Sequence, residues 1–472
     1  MRGCGPRNRA GRCGPRPDVA IQGEVTTPES AAMPLAETRP ILELNAFDPD
    51  RDGGADGLVA RRMRNFGATS VLFYRKPIEM VRAEGAWMYA ADGRRYLDVY
   101  NNVPSVGHCH PRVVEAIAKQ AATLNIHSRY LSEIVETYVE RLTATLPAPI
   151  SNLVMVCTGS EANDLAMRVA ARASGGRGFV VTESAYHGNT TAVSDISPPA
   201  RIQGDMAPYV RTVPPPGPEF YGDDVAGGFA RAITDAFADL AANGYPPAGF
   251  ICDTIFSSDG VYADPRGFLA AAVEATRKAG ALFIADEVQP GFARTGDAMW
   301  GFARHGVEPD IVTMGKPMGN GIPVAGMATR PEHLAAFARY EGYFNTFGAN
   351  PVAAAAGLAV LDVIAEEGLM QNAATVGEYL MERLQAMRPR CPKVSAIRGA
   401  GLFIGVELSQ NGDINRPDPE AAVAAINALR DRGILIGAAG KLGNTLKVRP
   451  PLCLTREQAD IVADNLEAVL AG

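Results

Sequence analysis

The stretch "TMGKPMGNGIP", Thr313 to Pro323, sets one lysine between a glycine and a proline, with two more glycines close behind. Three readings compete for Lys316: a phosphate-cradling loop, a solvated lysine on an ordinary turn, or a lysine held on a fixed backbone for covalent chemistry. A phosphate loop of the form G-x-x-x-x-G-K-[ST] fails twice. Asp310 stands where the first glycine belongs, and Pro317 follows the lysine. A solvated lysine needs no glycines on both sides. A desolvated lysine has a lowered pKa and becomes a nucleophile for carbonyls.

Three other stretches carry comparable potential. In "ALFIADEVQPGF" an apolar run ends on Asp286 and Glu287. A carboxylate in that setting needs a partner, because burying it unpaired is costly. Either a ligand cation or an arginine such as Arg294 could supply one. In "CTGSEAN" a strand ends, Gly159 turns the chain and Ser160 starts a helix, which makes an anion site or merely a helix cap. In "ESAYHGNT" Tyr186 and His187 follow a strand, where an aromatic ring can stack on a flat ligand or simply pack. An anion cradle, a stacking aromatic, a buried carboxylate and a poised lysine together match the needs of pyridoxal phosphate.

These residues must be positioned by strands and helices, and the sequence indicates which. "NLVMVC", "GFVVT", "GFICDTIF" (Gly249 to Phe256), "ALFIA" and "DIVTM" read as buried strands. Between them lie helical repeats, such as Ala162, Leu165, Ala166 and Val169, and "FLAAAVEATRKAG", stopped by Gly280. Strand–helix alternation predicts an α/β fold with a mostly parallel sheet flanked by helices. Past Pro351, a long Ala-rich helix is followed by "RGAGLFIGVEL", "ALRDRGILIG" and "NTLKVRPPL", which suggest an α+β lobe.

The expected division is a disordered N-terminal extension over 1–55, a large domain over 112–350, and a smaller lobe from 56–111 plus 351–472. The extension is rich in Arg, Gly and Pro and lacks periodicity. With 472 residues, 47% hydrophobic, and a net charge of -7 with interspersed signs, the chain shows no nucleic-acid stripe and no membrane-length apolar run. Seven scattered cysteines fit neither a disulfide ladder nor a zinc spacing, and favour a reducing cytoplasm. His108 and His110 flank Cys109, but nothing nearby completes a metal site.

The order of "GHCHPRVVEAI", "GSEANDLAMR", "AYHGN", "ADEVQPGFARTG", "PDIVTMGKPMGNGIPVAG", "FNTFGANPVAAAAGLAVLDVI" and "RGAGLFIGVEL" resembles the class III pyridoxal-phosphate aminotransferases of fold type I. The wording of "YNNVPSVGHCHP" and "TMGKPMGNG" is most similar to the branch that holds ethanolamine-phosphate phospho-lyase. The resemblance implies that Lys316 holds the cofactor as a Schiff base and later acts as general base. It implies that Asp286 pairs with the pyridinium nitrogen, Tyr186 and Val288 face the ring, and Gln289 approaches the ring hydroxyl. His187 belongs beside Tyr186, Gly159 and Ser160 bind the phosphate, and Thr346 reaches it from a partner subunit, so a homodimer is implied.

Three departures from the family pattern bear on substrate. "DTIFSSDG" stands where many relatives have "EPVQGAGG", which puts Asp253 and Phe256 at the usual glutamate and glutamine. Ser258 replaces the acid that switches a substrate-binding arginine in some members. "KVRPP" places Lys447 at the usual arginine, with Arg449 two residues on. Two cations on one side of a strand could receive a phosphate or a distal carboxylate, or one could point to solvent. Phe73, Tyr74 and Arg75 are candidates for the substrate entrance. The expected activity is transfer of an amino group from an amine or amino acid to a keto acid or aldehyde. The alternative is elimination of phosphate from a phosphorylated amine such as phosphoethanolamine.

Overall fold

The computed structural model of the chain describes residues 44–69, 71–200 and 205–471. The described residues belong to one compact unit. Its centre is a seven-stranded sheet in the spatial order Asn152–Val156, Ala325–Thr329, Ile311–Met314, Leu282–Asp286, Pro247–Cys252, Gly178–Thr182, Val210–Val213. Ala325–Thr329 runs antiparallel to both its neighbours, and the remaining pairs are parallel. Several of its strands are buried along their whole length. That burial is why they read as unbroken apolar runs, since helices cover both faces of such a sheet.

Two smaller sheets complete the unit. Met80–Glu84, Trp87–Ala90 and Arg95–Asp98 form a meander, to which Ile434–Leu435 adds in parallel. Val394–Ala400, Phe403–Leu408, Thr445–Val448 and Gly437–Ala439 form the other. Thus the chain's early strands share a sheet with a strand from near its end. Pro351–Glu366 is buried on most of its circumference, and Asn350 caps it by accepting a bond from the Ala353 amide at 2.9 Å. A helix apolar nearly all round belongs inside. Among the described residues no helix is long and apolar enough to cross a membrane.

Two expectations are corrected. The strand expected over "GFICDTIF" ends at Cys252. Asp253 stops it: its side chain accepts from the amides of Ile255 and Ser257, and Phe256 takes a φ of 50°. An aspartate that bonds the amides just ahead of it offers the backbone a turn in place of a ladder. The expected disorder over 1–55 does not hold for residues 44–55. Ala46 bridges Phe73, the Tyr74 amide donates to Asn45 O at 3.0 Å, and Asn427 Nδ2 donates to Asn45 Oδ1 at 2.7 Å. Those contacts come from far along the chain, so local composition carries no sign of them. The rest of that expected extension, 1–43, lies outside the described residues.

Candidate active site

Parallel register sets the site. Asp286, the last residue of its strand, lies beside Thr313 of the next, three residues before Lys316. The Gly159–Ser174 helix starts at the same edge, and Asn163 in its second turn faces the sheet. Thr313 Oγ1 donates to Asn163 Oδ1 at 2.6 Å, and Asn163 Nδ2 donates to Asp286 Oδ2 at 2.9 Å. His187 Nδ1 lies 2.7 Å from the same Asp286 oxygen, and the Val288 amide donates to the other at 3.1 Å. Asp286 is thus held by neutral donors and a histidine, and its Oδ1 keeps acceptor capacity. Arg294, the alternative partner, donates instead to the carbonyls of Leu402 and Pro450.

The lysine loop is rigid for identifiable reasons. Gly315 packs against Gly159, where an added Cβ would sit 3.4 Å from backbone atoms. Met318 N donates to Gly315 O at 2.7 Å, and Ile322 N donates to Gly319 O at 3.0 Å. Asn320 pins the turn from outside, accepting from the Val106 amide and donating to Gly107 O. Lys316 has open surface because it borders two cavities, yet protein surrounds it. That desolvation lowers its ammonium pKa, and the Asp286 charge opposes the shift.

The inner cavity, about 230 Å³, is lined by Gly159, Ser160, Tyr186, His187, Gly188, Asp253, Asp286, Val288, Gln289 and Lys316. At its helix end the cap is Thr158, not Ser160. Thr158 Oγ1 accepts from the Glu161 amide, and the Glu161 carboxylate folds back onto the amides of Cys157 and Thr158. The first-turn acid is therefore occupied, and the helix start is left for an anion. Ser160 Oγ accepts from the Asn189 amide at 3.2 Å. Gly188 has a φ of 141°, and a Cβ there would meet Ser160 Oγ at 2.4 Å. An anion cradle at one end, a carboxylate with spare acceptor capacity at the other and a desolvated lysine between them fit pyridoxal phosphate.

The outer cavity, about 220 Å³, shares Tyr186, Gln289 and Lys316 with the inner one. Lys447 and Arg449 both line it, with Ser258, Phe73, Tyr100 and Asn45. Neither cation points away to solvent. Lys447 Nζ donates to Ser257 O at 3.3 Å, and Arg449 Nη1 donates to Gln289 Oε1 at 2.6 Å. The Arg449 guanidinium also lies 4.5 Å from the centre of the Tyr100 ring. Burial, followed by the neighbouring Arg449, holds the Lys447 ammonium well below its ordinary pKa. No carboxylate lines this cavity among the described residues. Its polar wall is therefore dominated by basic side chains.

Other expected residues lie elsewhere. Phe73 lines the outer cavity, but Tyr74 and Arg75 do not. Tyr74 takes a φ of 69°, which turns its ring into the core, where its hydroxyl donates to Ile436 O at 3.4 Å. Arg75 is exposed. Thr346 is also exposed and lines neither cavity of its own chain. Its loop is nonetheless fixed, because Asn345 accepts from the amides of Phe347 and Gly348 and donates to Glu161. His108 pairs with Asp98 at 2.7 Å, whereas His110 pairs with Glu367 at 3.0 Å. Sequence reasoning missed Asn163, Ser257, Tyr100 and Asn45. Only Asn163 left a signal: an amide on the otherwise apolar face of Ala162, Leu165, Ala166 and Val169.

With this geometry in place, comparison with known proteins is informative. Residues 73–470 match the family model for class-III aminotransferases. The chain is 40% identical over 416 residues to alanine–glyoxylate aminotransferase 2-like of Drosophila melanogaster, covering 85% of this chain and 84% of that one. It is 35% identical over 434 residues to ethanolamine-phosphate phospho-lyase homolog 1 of Caenorhabditis elegans, covering 88% and 93%. Among solved structures, a phospholyase from Arthrobacter in complex with phosphoethanolamine superposes with a TM-score of 0.84 at 41% identity, covering 88% of this chain and all of that one.

Proposed function

This chain belongs to the class-III aminotransferase family, a pyridoxal-phosphate-dependent transaminase of fold type I, and from that premise we propose that its substrate carries an anionic group seated on Lys447 and Arg449. The observation behind this reading is the outer cavity: two cations, no acid among the described residues, and a shared wall with Lys316. Pyridoxal phosphate supplies an aldehyde carbon for the amine and an electron-withdrawing ring that acidifies the adjacent C–H bond. Lys316 would hold the cofactor covalently, and after displacement by the incoming amine its own amine, whose charged form burial disfavours, would take the proton from the substrate carbon and pass it on. Asp286 would hold a proton on the ring nitrogen, Gly159, Ser160 and the helix start would bind the phosphate, and Tyr186 and Val288 would hold the ring. Lys447 and Arg449 orient the substrate so that its C–H faces Lys316.

A second reading is supported by the same two cations and by the likeness to the Arthrobacter phospholyase. With a phosphorylated amine, Lys316 would remove the same proton, a phosphate seated on Lys447 and Arg449 would depart with the C–O bonding pair as inorganic phosphate, and water would convert the remaining enamine to an aldehyde and ammonia. One pair of assays separates the readings. With pyruvate as acceptor, 3-aminopropanoate should exceed propylamine in kcat/KM by about tenfold or more, the scale of one charge-assisted hydrogen bond. Equal rates would remove the anion-site reading. Phosphoethanolamine without any keto acid should release little phosphate if transamination is the outcome. Sustained release over many turnovers would establish elimination instead. For the lysine, borohydride should trap the cofactor on the native chain and fail to trap it on Lys316→Ala. Trapping that persists in the variant would reassign the attachment.

A homodimer and a cytoplasmic setting belong to the same proposal. The fixed, outward-facing loop that carries Thr346 supports a phosphate contact made across a subunit boundary. The five cysteines among the described residues are all free, which supports a reducing compartment.

A further inference from the structure

Gln289 borders both cavities, and each end of its amide is taken. Arg449 Nη1 donates to Gln289 Oε1 at 2.6 Å, and Gln289 Nε2 donates to Ser257 Oγ at 2.8 Å. Ser257 Oγ in turn donates to Asp253 Oδ2 in a very short contact. Every donor points the same way, from guanidinium to carboxylate. A guanidinium has no acceptor, so the amide oxygen must face Arg449 and the amide nitrogen must face Ser257. Asp253 accepts from the amides of Ile255 and Ser257 as well, and no lysine or arginine hydrogen-bonds it among the described residues. The charge of Asp253 bears directly on Lys316 and Lys447, and Arg449 is joined to it through two neutral side chains. Lys447 Nζ donates to the Ser257 carbonyl, so both cations of the outer cavity bear on one fully buried serine.

We infer that Ser257 is a positioning residue that couples occupancy of the Lys447–Arg449 anion site to the placement of Gln289 and Asp253 in the cofactor cavity. This rests on the anion-site reading above. An arriving anion competes with Gln289 Oε1 for the guanidinium, and an ionised acceptor outbids a neutral amide. Gln289 is then free to turn toward the cofactor, and the Ser257 hydroxyl loses the donor that aims it at Asp253. Burial pushes the Asp253 carboxyl upward and the Ser257 bond pulls it back, so a change at Ser257 alters the charge beside the cofactor. A serine serving only the turn needs no hydroxyl for this, because its amide already bonds Asp253.

The test uses the holoenzyme and inorganic phosphate as the probe anion. Calorimetry reads binding, and the cofactor's visible absorbance across pH reads the response. In the native enzyme, phosphate should bind and displace the pH midpoint of the absorbance. In Ser257→Ala, phosphate should bind within about threefold of native affinity, the scale of one neutral hydrogen bond, and the displacement should vanish. Ser257→Thr, which keeps the hydroxyl, should restore it. Asp253→Asn removes the far end of the chain and should also abolish the displacement, which decides the matter if Ser257→Ala does not fold. A native displacement in Ser257→Ala or in Asp253→Asn overturns the coupling. If the native enzyme binds no phosphate by calorimetry, the anion-site reading fails, and the coupling fails with it.

Discussion

Lys316 and Lys447 face the same cavity, and burial disfavours the charged form of both. The neighbouring Arg449 guanidinium pushes both amines in the same direction. An anion that binds Arg449 would favour the charged form of Lys447 as well, which makes the site cooperative toward a multivalent group such as phosphate. Arg449→Met keeps much of the side chain's bulk and removes the charge. It should raise KM for an anionic donor by about 10- to 100-fold, corresponding to about 1.5–3 kcal/mol for a charge-assisted hydrogen bond. It should leave KM for propylamine nearly unchanged. Parallel losses for both donors would show that Arg449 supports the cavity wall and does not bind substrate. Lys316 and Asp286 were legible in the sequence as candidates because Asp286 ends an apolar strand and Lys316 follows another by two residues, each with local turn signals. Ser257 was not, because its role exists only through Gln289 and Arg449, 32 and 192 residues away in sequence.

At the scale of elements, the cofactor cavity is the meeting point of one helix start and the loops that follow several strands. The close approach of the Tyr186–Thr190 loop to the helix depends on Gly188. Gly188→Ala would place a methyl group 2.4 Å from Ser160 Oγ at a φ of 141°. Such overlap and backbone strain cost about 1–3 kcal/mol. The cofactor dissociation constant, read by equilibrium dialysis, should rise by about tenfold or more, with the Gly159–Ser174 helix intact by circular dichroism. Native affinity in the variant would mean that the loop has slack the structure does not show. The strands were legible because their burial makes them apolar throughout, and the helix because its apolar face repeats at 3.6 residues. The end of Pro247–Cys252 was not, because "GFICDTIF" is apolar on both sides of the turn, and only the Asp253 side-chain bonds decide where pairing stops.

At the scale of the whole molecule, several large apolar side chains stand exposed. Tyr130 is 63% exposed, Leu131 92%, Tyr340 69% and Phe347 71%. His127 stacks on Tyr130 and meets Phe344 edge-on, and the Arg129 guanidinium lies 3.9 Å from the Phe344 ring centre. An exposed cluster of large apolar side chains beside Thr346 is what a subunit interface requires. If the proposed homodimer forms through this cluster, the native chain should run as a dimer by analytical ultracentrifugation, and Phe344→Asp should shift it to monomer and weaken cofactor retention in the same sample. A variant that stays dimeric and keeps its cofactor would place the interface elsewhere.

The sequence by itself determined the cofactor chemistry and the fold class. Both are written in short local patterns: an apolar run, the turn after it, and the residue that the turn presents. The tertiary structure decided what surrounds that chemistry. It turned both Lys447 and Arg449 into one cavity, drew Leu44 and Asn45 against it, rotated Tyr74 inward while leaving Phe73 at the wall, and joined Arg449 to Asp253 through Gln289 and Ser257. These outcomes depend on which distant backbones come to lie side by side. A side chain two residues along a strand, or one turn along a loop, is aimed by partners that the local sequence does not contain.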